Sequence, residues 1–270
     1  MKKILVIQDL VSVGKAGLSV SIPVLSSMFI EPVAVPLTLQ PVSFENSQSI
    51  DFSQNFNNYA SSFNENMIHF DCIFFNFPDY FLNEEINQCC LIDSCQANDT
   101  FLAVNFCNCK NASLTQALYS SAYIKNANLI ISKSKAFPGL INSSKADAEV
   151  ILSAFVKAPG KIVIPDYKVS GEKSAVITYD KITGKFSWIY YKNFPGDISD
   201  FAGFWDLFSS ILTGAVVNGF SLENAGRTAI NFIQQCCQDT FNSRDYNFYG
   251  LNFEKKLPEL SKIISDNSGI

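Results

Sequence analysis

Few residues in this 270-residue chain combine a reactive type with a useful spacing. The best candidate is Gly203-Phe204-Trp205-Asp206, a glycine followed three residues later by an acid at the opening of a helical stretch. An aspartate there serves either as a proton-accepting base or as an acid held by the helix dipole and the first-turn N–H groups. Gly14-Lys15-Ala16-Gly17 has the composition of a phosphate loop. It lacks the G-x-x-x-x-G-K-[ST] spacing and is not a Walker motif. The eight cysteines (72, 89, 90, 95, 107, 109, 236 and 237) form two adjacent pairs and one C-x-C, with His69 the only histidine. That spacing matches neither a zinc set nor a disulfide framework, so they read as reduced thiols packing as small hydrophobes. Adjacent cysteines on a helix should point in different directions. With only His69 available, placed before the third strand where it reads as a surface or helix-end residue, no Ser/His/Asp arrangement is credible. Phe74, Phe75, Phe77, Phe204 and Trp205 have two readings, an aromatic pocket for a planar ligand or simple core filling.

The elements that must position these residues are legible as an alternation. Continuous apolar runs at 4–7, 33–37, 72–77, 101–105, 129–131 and 162–164 suit strands buried on both faces. Between them, 17–29, 54–67, 84–95, 114–125 and 145–157 have helical spacing. This βα order implies a mostly parallel sheet with helices on both sides. A β-hairpin follows, 175–180 and 185–192 around Thr183-Gly184, then helices at 206–218 (stopped by Gly219), at 222–238 (capped by Ser221) and at 254–264. The Asn-, Ser- and Gln-rich stretch 46–66 also reads as a mobile loop. Without repeats or a long linker, residues 1–270 read as one domain.

Hydrophobic residues make up 47% of the chain and charged residues 17%, enough to cover both faces of a sheet. A net charge of −5 argues against nucleic-acid or anionic-membrane partners, which select a basic face. The first apolar run is too short for a secretory signal and no run reaches the ~18 residues of a spanning helix. A cytoplasmic location is the expectation.

Two segments carry a resemblance. Residues 7–28 open Ile7-Gln8-Asp9-Leu10 and continue through Gly14, Gly17 and Pro23; residues 201–215 contain Gly203-Phe204-Trp205-Asp206-Leu207-Phe208. The first is similar to the opening of bacterial pyridoxamine kinases. The second resembles the G-x-G-D-x-F helix start of the ribokinase-like superfamily. With the order of hairpin, helices and Phe253-Glu254, the chain resembles the pyridoxal/pyridoxamine kinase branch over nearly its whole length. The resemblance implies a three-layer α/β/α sandwich with a mostly parallel central sheet, and a homodimer. It also implies transfer of the ATP γ-phosphoryl group to a vitamer hydroxymethyl group, with Mg²⁺ bridging the phosphates.

Carried over residue by residue, the resemblance puts Asp206 at the base position and Gly203, Phe204 and Trp205 around the anion hole. Phe204 and Trp205 replace a small residue and a glycine, so an indole stands beside the phosphate seat. On the metal side, Asn105 and Lys110 align with acids of D-P-V-M-G-D, and Lys133 and Ala136 with the Asn and Glu of T-P-N-x-x-E. None of the replacements is a carboxylate, whereas Mg²⁺ depends on them. Lys110, Lys133 or Lys135 could instead hold phosphate as point charges. Asp9, Ser43 and Asn46 fall at substrate-side positions, with Phe75-Asn76-Phe77-Pro78 in place of a glycine-containing loop. The expectation is therefore a pyridoxal kinase-like protein with impaired or lost catalysis. It uses ATP and Mg²⁺ if active and no cofactor otherwise. The alternatives are a vitamer- or partner-binding pseudo-kinase and a hydroxymethylpyrimidine kinase-like protein.

Overall fold

Alternation explains why the apolar runs are continuous. Along β1 (Lys2–Val13), Ile4 and Val6 enter one core and Leu5 and Ile7 the other, so every residue of the run is buried. The computed structural model describes residues 1–42, 49–77, 100–108, 126–137, 140, 143–155, 160–194, 201–242 and 249–268. Among these, nine strands form one sheet. They are β1, β2 (Ile30–Val42), β3 (Ile50–Asp51), β4 (Cys72–Asn76), β5 (Phe101–Asn105), β6 (Leu129–Ile131), β7 (Lys161–Ser170), β8 (Lys173–Asp180) and β9 (Lys185–Lys192). Their order is β3-β2-β1-β4-β5-β6-β7-β8-β9. From β2 to β7 every pairing is parallel, and β3, β8 and β9 pair antiparallel at the two edges.

The described helices cover both faces. On one lie α1 (Leu18–Ser27), α4 (Phe204–Val217), α5 (Leu222–Asn242) and α6 (Leu257–Ser268). On the other lie α2 (Phe56–Glu65) and α3 (Lys145–Phe155). This is the three-layer α/β/α sandwich. Helix α4 is buried from Phe204 through Ala215, as a helix wedged between sheet and neighbours must be. Helix α5 buries the spaced set Leu222, Ala225, Ala229, Ile233 and Cys237 against it. Ser221 Oγ accepts the Asn224 N–H at 3.2 Å, giving α5 its cap. None of the described helices is long and apolar enough to cross a membrane.

Several expectations change. β1 runs on to Val13, because pairing with β2 carries it past the polar Gln8 and Asp9. Within 46–66 the expected helix at 54–67 is present as α2, anchored by buried Phe56 and Ala60, and β3 precedes it. The aromatic cluster is divided by the sheet. Phe74, Phe204 and Trp205 belong to one core and Phe75 and Phe77 to the other, all buried, so they fill core and cannot form one pocket. Cys236 and Cys237 are both buried despite their adjacency, and with Cys72 and Cys107 they are free thiols. The expected helices 84–95 and 114–125 lie outside the described residues, as do the other four cysteines.

Candidate active site

The chain runs from β1 outward to β2 and then returns to the other side of β1 as β4. Strand order therefore reverses at β1/β4, and the carboxyl ends of strands at such a point form the usual ligand crevice of an open α/β sheet. Three side-chain amides mark this place. Asn76 pairs in register with Asn105, and Gln8 stands one step beyond the paired Ile7 and Phe75. Gln8, Asn76 and Asn105 thus form a row across three adjacent strands, all buried and facing α4.

Asp206 meets this row. It lies in the first turn of α4 and is 3% exposed. Its Oδ1 accepts the Gln8 Nε2, Asn76 Nδ2 and Asn108 Nδ2 protons, each at 2.7 Å, and its Oδ2 accepts the Gly17 N–H at 2.9 Å. A carboxylate oxygen has about two lone-pair sites, so three donors crowd Oδ1 while the Gly17 N–H holds Oδ2. The direction of the network is set by the backbone. The Cys107 N–H donates to Asn105 Oδ1 at 3.0 Å, so Asn105 Nδ2 must donate onward, to Asn76 Oδ1 at 2.8 Å and to Ser209 Oγ at 3.1 Å. Asn76 Nδ2 is then left for Asp206. At the other end Ser21 Oγ donates to Gln8 Oε1 at 2.6 Å and lies 2.8 Å from Ser210 Oγ.

The helix N-terminus is closed by the loop after β1. Gly203, the N-cap, has φ 73°, and a Cβ there would lie 1.7 Å from the Lys15 carbonyl oxygen. Only glycine permits both that backbone conformation and that approach. Gly17 has the same role on its side, with φ 61° and the Asp9 carbonyl oxygen 2.1 Å from a would-be Cβ. The loop is fastened by the Lys15 N–H to the Tyr249 carbonyl at 2.6 Å. Lys15 Nζ reaches Asn252 Oδ1 at 2.9 Å and Glu254 Oε2 at 2.8 Å. The lysine that looked like a phosphate-loop residue is a tie to the C-terminal segment.

Phe204 is fully buried and packs edge-on to Trp205, ring centroids 4.8 Å apart. Trp205 is 5% exposed, and its Nε1 has no hydrogen-bond partner among the described residues. Lys133, just after β6, holds Nζ 5.0 Å from the Trp205 ring centroid. Asp166 is a member of this cluster that sequence reasoning missed. It follows Pro165 where the β7–β8 register shifts, and this bulge lets its Oδ1 accept the Ser134 N–H at 2.6 Å. Burial pushes the Asp166 carboxyl above its usual 3.8, although the Ser134 N–H and the Lys133 charge pull the other way. Burial also pushes the nearby Cys107 thiol well up.

The remaining expected site residues are placed as follows. Asp9 turns toward β2, where Thr38 Oγ1 donates to its Oδ1 at 2.8 Å and Gln40 Nε2 to its Oδ2 at 3.3 Å. Asn105 is in the amide row. Ala136 is buried in the core on the opposite side of the sheet from Asp206. Ser43, Asn46 and Lys110 lie outside the described residues. Gln8, Asn76 and Asn108 join the site unexpectedly; their amide side chains at strand ends were the available signal.

No protein-family model and no curated protein matches the sequence. Solved structures do match. A Bacteroides thetaiotaomicron protein assigned as a phosphomethylpyrimidine kinase superimposes with a TM-score of 0.84 at 21% identity, over 96% of this chain and 93% of that one. Another crystal form of it, with pyridoxal, gives 0.83 at 21% identity, over 96% and 95%. Pyridoxal kinase from Lactobacillus plantarum gives 0.80 at 18% identity, over 99% of both chains.

The chain has the ribokinase-like fold.

Pyridoxal kinase from Leishmania donovani in complex with ADP and pyridoxamine has the same fold, with a TM-score of 0.79 at 13% identity over 96% of both chains. In this ribokinase-like chain the loop after β1, the β4 and β5 ends and the α4 N-terminus surround one point, and that point holds the Asp206 carboxylate.

Proposed function

We propose that this chain is a single-domain pyridoxal/pyridoxamine kinase-like protein that does not transfer phosphate, a pseudo-enzyme whose base position has become a structural junction. The observation that carries the reading is the engagement of both Asp206 oxygens, Oδ1 by three side-chain amides and Oδ2 by the Gly17 N–H. A base must reach the proton of a substrate hydroxyl within about 2.6–3.2 Å. Asp206 already accepts four protons from its own chain. The anion-hole positions support the same reading. Gly203 is covered by the Lys15 carbonyl, and Phe204 and Trp205 turn bulky rings into the core.

Magnesium does not fit the described residues of this crevice. It takes one or two carboxylates in near-octahedral oxygen geometry. Asp206 is crowded by four donors, Asp166 holds the Ser134 N–H, Asn105 spends its amide on Asn76, Ser209 and Cys107, and Lys133 brings a positive charge. No step through Mg–ATP is derived for this chain. A planar vitamer is the ligand class we retain, on the strength of structural neighbours bound to pyridoxal or pyridoxamine. Asp9, Ser43 and Asn46 remain the substrate-side positions. We also read the chain as a cytoplasmic homodimer. Buried free thiols accord with a reducing compartment, and two-fold pairing is the commonest assembly.

The test is turnover with Mg–ATP and pyridoxal, pyridoxamine or pyridoxine, run beside thermal scans. Ligand at 100 times its Kd stabilises by about 2.7 kcal/mol, a shift of several degrees. No product and no shift with Mg–ATP is expected, with a shift for pyridoxal. Vitamer phosphorylation that vanishes in Asp206→Asn would overturn the reading.

A further inference from the structure

We propose that the Lys133 ammonium is the resident cation of this crevice, held on the Trp205 ring, and that it keeps divalent metal out. Lys133 sits at the carboxyl end of β6, where the chain leaves the sheet beside the α4 N-terminus. Its Nζ is 5.0 Å from the Trp205 ring centroid, within the ~6 Å over which a ring face attracts a cation. The ring is almost wholly buried and is itself packed edge-on against Phe204 and Phe208, so the seat is rigid. The lysine's charge also acts on the Asp166 carboxyl and the Cys107 thiol, lowering both against the effect of burial. A divalent ion entering here would meet the ammonium of half-buried Lys133, a repulsion less screened than in bulk water. It would find little in return. The Asp206 oxygens are occupied by four donors, and Asp166 holds the Ser134 N–H.

This inference rests on the same crevice as the proposed function but separates from it. A chain that binds no metal yet phosphorylates a vitamer would keep the inference and defeat the other reading. The experiment is a Mn²⁺ titration of the full chain, with free ion followed by its paramagnetic resonance signal and no nucleotide present. Wild type should leave the signal as in buffer. Lys133→Asp, which puts a carboxylate in place of the cation near Asp166, should take up one Mn²⁺ per chain at least tenfold more tightly. Uptake of one Mn²⁺ per chain by wild type overturns the proposal, as does a folded Lys133→Asp that takes up none. Should Lys133→Asp not fold, Lys133→Met is compared with Lys133 in a Trp188→Phe background, where Trp205 is the remaining tryptophan. Its emission should change on loss of the ammonium, and unchanged emission overturns the assigned seat.

Discussion

Replacing Asp206 by Asn keeps the side chain's shape but sets an N–H₂ among four converging donors. A buried donor left unsatisfied costs about 1–3 kcal/mol, and hydrogen bonds to a charged acceptor contribute about 1.5–3 kcal/mol. Asp206→Asn should therefore lose about 2–4 kcal/mol, read as a lower urea midpoint at unchanged slope. A base poised for catalysis behaves differently, since such groups are commonly held at some expense of stability. A more stable Asp206→Asn would contradict the junction. Gly203→Ala tests the same place sterically. Left-handed backbone costs a non-glycine residue about 1–3 kcal/mol. Displacing the Lys15 carbonyl from 1.7 Å adds to that, so this variant should unfold at markedly lower urea than wild type. Asp166 gives a pH signature. Its folded-state carboxyl binds its proton more tightly than in the unfolded chain, because burial outweighs the Ser134 N–H and the Lys133 charge. Stability must then fall as pH rises from the ordinary carboxylate range through the raised folded value. Asp166→Asn retains an oxygen for Ser134 and removes that slope. It should melt above wild type at neutral pH and level with it in acid, and coincident melting at both ends would refute the assignment.

Among the elements, the strands were legible where apolar runs have hard edges. The runs 101–105 and 129–131 coincide with β5 and β6, the first preceded by Thr100 and ending on Asn105, the second flanked by Asn128 and Ser132. The sequence showed less of β1 and β7, since Gln8-Asp9 and Pro165-Asp166 interrupt their apolar pattern and only pairing with neighbours continues them. The amide row was invisible for a related reason. Gln8, Asn76 and Asn105 are far apart in sequence and become neighbours through inter-strand register, a tertiary property. Asp206 could be placed at a helix start from Gly203 alone, but not the donors that fill it. The row acts as a relay, so its members should not behave independently. In a double-mutant cycle of Asn76→Leu and Asn105→Leu, a coupling energy of about 0.5–3 kcal/mol is expected from chemical denaturation. Additive losses would show that each amide acts alone.

At the scale of the whole molecule, burial should govern the thiols. It pushes Cys237 up to about 12 and raises Cys72, Cys107 and Cys236 as well. The thiolate is the reactive form. These four should resist iodoacetamide in the native protein and react once it is unfolded, with intact mass as the readout. Early alkylation of any of them would show an open core. The fastening of Lys15 to Tyr249, Asn252 and Glu254 has a further consequence, and it concerns time. The donors at positions 8, 17, 76 and 108 wait for Asp206, and the loop that covers it waits for residues near 250. At about 5–20 residues per second of synthesis, Gln8 is made roughly 12–50 s before Glu254. Until Asp206 is made the amide row has strands to stand on but no carboxylate, and until the residues near 250 are made it has no clasp. The junction is thus completed only when the residues near 250 exist, and a nascent chain stalled short of residue 249 carries an unfinished seam at its centre.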